Sequence, residues 1–297
     1  MTVASSEIRL KVKLFFDAPD LMTTSTINRR ILPGFRLSLG YTVAWLGLLV
    51  VVPLAGCLVK AASLPFDRFW GAVWTARARA AYAFTLTSSF ASAWINVVLG
   101  LIVAWVLVRY EFPGKRWLDS LVDLPFALPT AVAGLVYSQL YVENGWLGQF
   151  LVPLGIKAAY SRLAVVLVLT FIGFPFVVRT LQPVLESLDA EIEDAAFLLG
   201  ATRWQTFRRV LLPALVPAMI TGFALSFARA MGEYGSVVFV SGNMPFKTEI
   251  APVLIVARLK EFAYAEATAI AVVLLAMSIG MLLLVHMLEH WSKKSHV

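Results

Sequence analysis

The sequence predicts an all-α polytopic membrane bundle of about six transmembrane helices. Three observations predict it. Of its 297 residues, 60% are hydrophobic and only 14% charged, where a soluble domain carries about a quarter charged residues. Apolar stretches close to the roughly 20 residues needed to cross a bilayer recur along the chain. A single cysteine, Cys57, leaves no internal disulfide to hold a small secreted fold. This composition excludes an ordinary soluble enzyme, a disordered chain and a collagen-like rod. The formal charge of +7 is assigned to basic residues flanking spans on the cytoplasmic side rather than to a nucleic-acid partner.

Residues 1–30 read as a polar N-terminal tail, with Ile8, Leu10, Val12 and Leu14 alternating with Arg9, Lys11 and Lys13. A short strand or interfacial stretch is the other reading of that alternation. Residues 31–62 hold the first transmembrane helix, centred on Leu37–Val59. It begins well into the chain and is as long as a span, so it does not have the form of a cleaved signal peptide. Further spans are expected near Ala83–Val108, Leu124–Tyr141, Leu163–Val178, Ala214–Val240 and Ala267–Leu288, and residues 291–297 form a C-terminal tail. The fourth is short because Arg179 follows it. The third carries Pro125 and Pro129, the fourth Gly173 and Pro175, and the fifth Pro213 and Pro217. Backbone groups freed by proline must be satisfied inside the protein or by water, so such breaks mark either cavity-lining segments or packing kinks. Basic residues are more numerous on the flanks that place both termini in the cytoplasm, although Arg68, Arg77 and Arg79 after the first span vote the other way.

The most informative stretch is the loop 186–213. Asp189, Glu191, Glu193 and Asp194 crowd the start of a short helix, where the helix dipole favours acids. Ile192, Ala195, Ala196 and Leu199 recur at helical spacing. Gly200 stands where a helix ends in the left-handed conformation. Thr202 and Gln205 then make a capping-box pattern opening a second helix. Trp204, Phe207 and Leu211 share one face of it, and Pro213 closes the unit and opens the fifth span. The pattern suits a rigid knob for a soluble partner, or an amphipathic linker lying on the membrane.

Asp194-Ala195-Ala196, Gly200 and Val210-Leu211-Leu212-Pro213 resemble the Glu-Ala-Ala loop of ABC importer permeases. The family pattern has Glu where Asp194 stands and Ile where Val210 stands. The stretch from Asp123 to Gly134, Asp-Leu-Pro-Phe-Ala-Leu-Pro-Thr-Ala-Val-Ala-Gly, is similar to the third-span segment of sulfate and molybdate permeases. The stretch from Ala230 to Pro252, opening Ala-Met-Gly-Glu-Tyr-Gly-Ser, resembles the T-type sulfate/thiosulfate permeases. The likeness covers roughly residues 30–292, so the first thirty are an extension or precede a later start at Met22.

The resemblance implies a type I ABC importer permease fold, with residues 80–290 as its core and 186–213 as a cytoplasmic coupling loop. It implies that Asp194, Ala195, Ala196, Gly200, Thr202, Trp204, Val210, Leu212 and Pro213 form the contact with an ATPase. The implied partners are a second, W-type sulfate permease subunit, two copies of an ABC ATPase, an extracytoplasmic sulfate/thiosulfate-binding protein and membrane lipid, with no nucleic acid. The implied location is the bacterial inner membrane. Molybdate or tungstate is the alternative cargo, since a tetrahedral dianion fits all of them.

No Gly-x-x-x-x-Gly-Lys-[Ser/Thr] phosphate loop occurs; Gly114-Lys115 is followed by Arg116. The chain is therefore expected to bind no cofactor, to be no enzyme, and to use ATP hydrolysed by a partner. Arg229 and Glu233 lie one turn apart on the fifth span. Charges in a membrane need partners, so they form an in-span pair or line the translocation path. Asp123 reads as a solvated or capping carboxylate, Asn96 as interhelical glue, and Thr248 as the N-cap of an amphipathic outer helix reaching Glu261. His286, Glu289 and His290 match the His-x-x-Glu-His pattern of a membrane zinc protease, but the motif ends the last span, where His and Glu commonly reach the interface; no metal site is expected.

Overall fold

The structure, a computed structural model, describes residues 35–294, the side chains of 190, 286 and 288–294 excepted. The chain divides into two compact units, residues 1–54 and 55–297. The expected polar tail, its alternating stretch and Met22 lie outside the described residues, as do the side chains of His286, Glu289 and His290.

Every described element is helical. The first is α1, Phe35–Ala62, long and apolar enough to cross a membrane, with a wider π turn at Gly47–Val51. In the second unit come α2 (Phe66–Val73) and α3 (Ala76–Arg109), the latter started by Thr75, whose hydroxyl accepts from the Ala78 N–H at 3.1 Å. Three short pieces follow: α4 (Lys115–Val122), α5 (Leu124–Ala127) and α6 (Thr130–Tyr141). After α7 (Gly148–Leu151) come α8 (Arg162–Ser187) and α9 (Ala190–Leu198). Then come α10 (Arg203–Met231), α11 (Val237–Val240), α12 (Ala251–Lys260) and α13 (Tyr264–Lys294).

Five helices among the described residues are long and apolar enough to span a bilayer. The expected third span is not one of them, because it is broken in two. Leu128, preceding Pro129, is extended (φ −87°, ψ 132°), since the proline ring clashes with a helical residue before it. The fourth span does not stop before Arg179. It runs to Ser187 through Pro175 and Pro183, and Arg179 is paired with Asp119 and Asp123 on the way. The fifth differs most. The second loop helix is not separate from it: α10 starts at Arg203, passes a π turn at Phe207–Leu211 just ahead of Pro213, and ends at Met231 rather than Val240. Proline lacks the N–H that a regular turn would use, and the wider turn lies where that bond is lost.

The core of the second unit is α3, α8 and α10 packed together. Val177 of α8 sits between two glycines. A Cβ at Gly100 would lie 2.7 Å from its Cγ1, and one at Gly222 3.2 Å from its Cα. The missing side chains let three backbones approach, as small residues do between membrane helices. Val97, Ala104, Leu107, Leu181, Leu185 and Leu215 close the core toward the end that carries the 186–213 loop. Val165, Val168, Ile172, Ala230 and Ile250 fill the other half. Asn96 donates to Ser226 Oγ at 2.9 Å in the buried middle.

Candidate functional site

The loop between α8 and α10 takes its shape from its own sequence. Gly200 is left-handed at φ +81°, which costs glycine nothing. Its N–H donates to Phe197 O at 2.9 Å, and the Ala201 N–H donates to Ala196 O at 3.0 Å. These two bonds are the Schellman closure of α9. Thr202 Oγ1 then accepts from the Gln205 N–H at 3.3 Å, and Gln205 Oε1 accepts from the Thr202 N–H at 2.8 Å, so the capping box forms. The turn between the helices is thus satisfied internally.

Beside that turn, Phe197, Leu198 and Leu199 are 73%, 86% and 88% exposed. Three consecutive exposed apolar residues thus stand together at this turn. Helical spacing in the sequence singles out Leu199 with Ile192, Ala195 and Ala196, but it does not single out Phe197 or Leu198, whose exposure no periodicity reports. Asp194, Ala195, Gly200, Thr202 and Trp204 are exposed around this tip, and Ala196 is half-buried. Val210, Leu212 and Pro213 are half-buried and belong to the body of α10, so the structure does not bring them to the tip. Trp204 stacks on Phe207 at 5.7 Å, and Phe207 meets Trp105 of α3 edge-on at 5.7 Å. The aromatic face of the second helix is therefore turned toward α3.

Charged clasps tie the surrounding elements together. Asp123 is no cap: its oxygens accept from Arg179 Nε at 2.9 Å and Nη2 at 2.5 Å. Arg179 Nη1 also donates to Asp119 Oδ1 at 2.6 Å and to Gln182 Oε1 at 2.7 Å. This network fastens α4 and the start of the broken segment to α8. Burial pushes the Asp119 carboxyl up, but hydrogen bonds from Gln182 and Arg179 outweigh it and hold the group below its ordinary range.

At the other end of α3, Arg77 Nε and Nη2 donate to both oxygens of Glu249 at 2.8 and 2.7 Å. Thr248 does not cap α12. Its hydroxyl accepts from the Met244 N–H at 3.1 Å, and the buried Ala251 N–H is satisfied by Thr85 Oγ1 at 2.8 Å. Ala251, Pro252, Val253 and Leu254 are buried, so α12 is docked at its start rather than lying on a surface.

Arg229 lies in the last turn of α10 and Glu233 just beyond its end. Arg229 Nη1 donates to Glu233 Oε2 at 2.5 Å. Glu233 Oε1 accepts from both the N–H and the hydroxyl of Ser236, at 2.9 and 3.0 Å. Glu233 is 3% exposed and Arg229 33% at their side chains. Among the described residues no group of three or more His, Cys, Asp or Glu could hold a metal ion.

The family described as "Binding-protein-dependent transport system inner membrane component" matches residues 96–294. The chain is 51% identical over 253 residues to the sulfate transport system permease protein CysT of Synechocystis sp., covering 85% of this chain and 88% of that protein. It is 47% identical over 262 residues to the protein of the same name from Escherichia coli, covering 88% and 95%. Among solved structures, a chain of a bacterial alginate ABC transporter in complex with alginate pentasaccharide-bound periplasmic protein superposes with a TM-score of 0.72. It is 19% identical and covers 87% of this chain and 94% of that one, a likeness of fold.

Proposed function

Because the chain belongs to the binding-protein-dependent transport system inner membrane component family, with the fold of an ABC importer permease, we propose that it is the T-type permease of a sulfate/thiosulfate importer. In this reading it forms half of the translocation path beside a W-type permease subunit. Two copies of an ABC ATPase supply the energy, and an extracytoplasmic binding protein delivers the anion. In this reading ATP is bound and hydrolysed by those ATPase subunits. Both termini and the 186–213 loop lie in the cytoplasm of a bacterial cell, with the bundle in its inner membrane. The cargo half of the proposal rests on the names of the relatives.

The coupling half rests on one observation, the internally satisfied turn that presents Phe197, Leu198 and Leu199 to solvent. An apolar tip held this rigidly has little ordering entropy left to lose when a partner covers it. Asp194, Ala195, Ala196, Gly200, Thr202 and Trp204 surround or support the tip and are assigned to the ATPase contact. Val210, Leu212 and Pro213 carry the movement into α10. Arg229 and Glu233 are assigned as an in-span pair, since Glu233 is already engaged by Ser236.

The test is Gly200→Val in the assembled transporter. A β-branched residue resists a φ of +81°, so the turn should distort while the spans still insert. Radiolabelled sulfate uptake is expected to fall at least about tenfold. Normal uptake in that variant would remove the loop from the coupling path, and uptake of molybdate but not sulfate by the unaltered transporter would overturn the cargo.

A further inference from the structure

The charged contact between the loop and α3 is made by a side chain whose position in the sequence gives no hint of it. Arg109 is the last residue of α3. Its Nη2 lies 2.8 Å from Glu193 Oε1 and donates to Leu188 O at 3.4 Å. Leu188 closes α8, and Glu193 stands in the first turn of α9, directly before Asp194. The guanidinium lies over Trp105 at 5.7 Å, and Trp105 meets Phe207 in the π turn of α10. One arginine thus touches the end of α8, the start of α9 and, through Trp105, the start of α10.

The loop reaches α8 and α10 through the peptide chain. It reaches α3 only through space. Beneath it lies a cavity of about 480 Å³ lined by Arg109, Glu193, Asp194, Phe197, Arg203 and Phe207, so the loop has room to move against the bundle. The pair is built to tolerate movement. It is monodentate and lacks hydrogen-bond geometry: Glu193 Oε1 and Arg109 Nε are both buried with no hydrogen-bond partner among the described residues, so neither group is locked in place.

We infer that Arg109, paired with Glu193, is the positioning residue that passes displacement of the 186–213 loop to α3. The inference rests on the proposed role of the loop as the ATPase contact. When a partner pushes the tip, α8 and α10 follow through the backbone, and α3 follows because the Arg109–Glu193 pair and the Trp105–Phe207 contact hold it. Without the pair, the partner binds and hydrolyses ATP while α3 lags.

The experiment uses the complete transporter in proteoliposomes and reads three quantities: retained ATPase subunit, ATP hydrolysis and radiolabelled sulfate taken up per ATP. Arg109→Gln should keep the subunit and most hydrolysis but lower uptake per ATP about tenfold. The exchange Arg109→Glu with Glu193→Arg restores the charge pair but neither the stacking on Trp105 nor the bond to Leu188, so it should recover part of that loss. Arg109→Lys should fall between, because an ammonium can meet Glu193 but cannot lie flat on Trp105 and reach Leu188 together. Unchanged uptake per ATP in Arg109→Gln would overturn the inference. So would loss of the ATPase subunit, which would make the pair a support for loop shape alone, and so would failure of the exchange to recover coupling. If Arg109→Gln does not accumulate in the membrane at all, Glu193→Gln reads the same quantity from the partly exposed partner. A normal Gly200→Val transporter would sink the loop reading itself, whereas an impaired Gly200→Val beside a normal Arg109→Gln would sink only the role of the pair.

Discussion

The two ends of α3 carry the same two residue types in different arrangements. Arg77 and Arg109 lie 32 positions apart on one helix, about 48 Å at 1.5 Å per residue. Each meets a glutamate from a distant part of the chain. At the far end, Arg77 grips both oxygens of Glu249, whose side chain is 3% exposed. At the loop end, Arg109 meets one oxygen of Glu193, whose side chain is 33% exposed. A bidentate pair with a dry partner has one geometry and a high cost of opening. A monodentate pair without hydrogen-bond geometry, whose glutamate is partly exposed, is less tightly fixed and costs less to open. The far end is thus an anchor, and the loop end is a contact that can shift without unfolding its surroundings.

The sharpest way to break this comparison is to remove each arginine in turn. Arg77→Met leaves Glu249 buried and unpaired, and should cost about 3 kcal/mol, the low end for breaking a buried pair because Arg77 itself keeps partial solvent contact. Arg109→Met should cost less, about 1–2 kcal/mol, because Glu193 is a third exposed although its paired oxygen is dry. Denaturant unfolding of the purified subunit in detergent checks both. Equal losses would mean that the two ends are alike and that the anchor-and-contact distinction is false.

How much of this could be read from the residues varies with the range of the interaction involved. The spans were legible because bilayer thickness imposes a length and a composition. The turn at Gly200 and the capping box at Thr202 were legible because each is closed by neighbours within a few positions. The break at Leu128–Pro129 was legible as a break, but its consequence, a span in two pieces, was not. The end of the fourth span was misplaced because Arg179 looked like a terminator. Its partners Asp119 and Asp123 lie 60 and 56 positions away, and no local rule names them. The same holds for Arg77 with Glu249 and Arg109 with Glu193. Thr248 resembles a cap because it precedes a helix, whereas Thr85, 166 positions from Ala251, supplies the bond. Periodicity along a helix reports which face is apolar, not what covers it, so the exposed tip at Phe197–Leu199 was also invisible.

A second and smaller prediction sharpens the far end. If that end is an anchor, its other long-range bond should matter too. Thr85→Val preserves shape but removes the acceptor for the Ala251 N–H, leaving a buried donor without a partner. The expected cost is about 1–2 kcal/mol. It should appear as earlier unfolding and faster amide exchange at the start of α12, with little change near the 186–213 loop. Exchange that speeds up equally at both ends would show that α3 transmits the damage as a rigid unit, and the comparison would then describe one clasp system rather than two.

The smallest expected effect separates the loop end into two parts. Asp119 and Arg179 sit at the same end as Arg109 but form a multiply bonded network. The Asp119 carboxyl is held below its ordinary value of 3.8 by hydrogen bonds that outweigh its burial. A carboxyl depressed in the folded state binds protons more weakly there than in the unfolded chain. Its stabilisation is therefore complete above about pH 4 and disappears as pH falls through the lower folded value. Stability from this group should be flat from pH 7 to about pH 5 and should decline only on the acid side. Asp119 is substantially exposed, so the decline should be shallow. Asp119→Asn removes the titration and should make the acid limb less steep than in the unaltered protein, with little change at pH 7 beyond the weakened bond to Arg179. Parallel acid limbs for the two proteins would show that the network is not held by that carboxylate, and the firm part of the loop end would then have to lie with Asp123 alone.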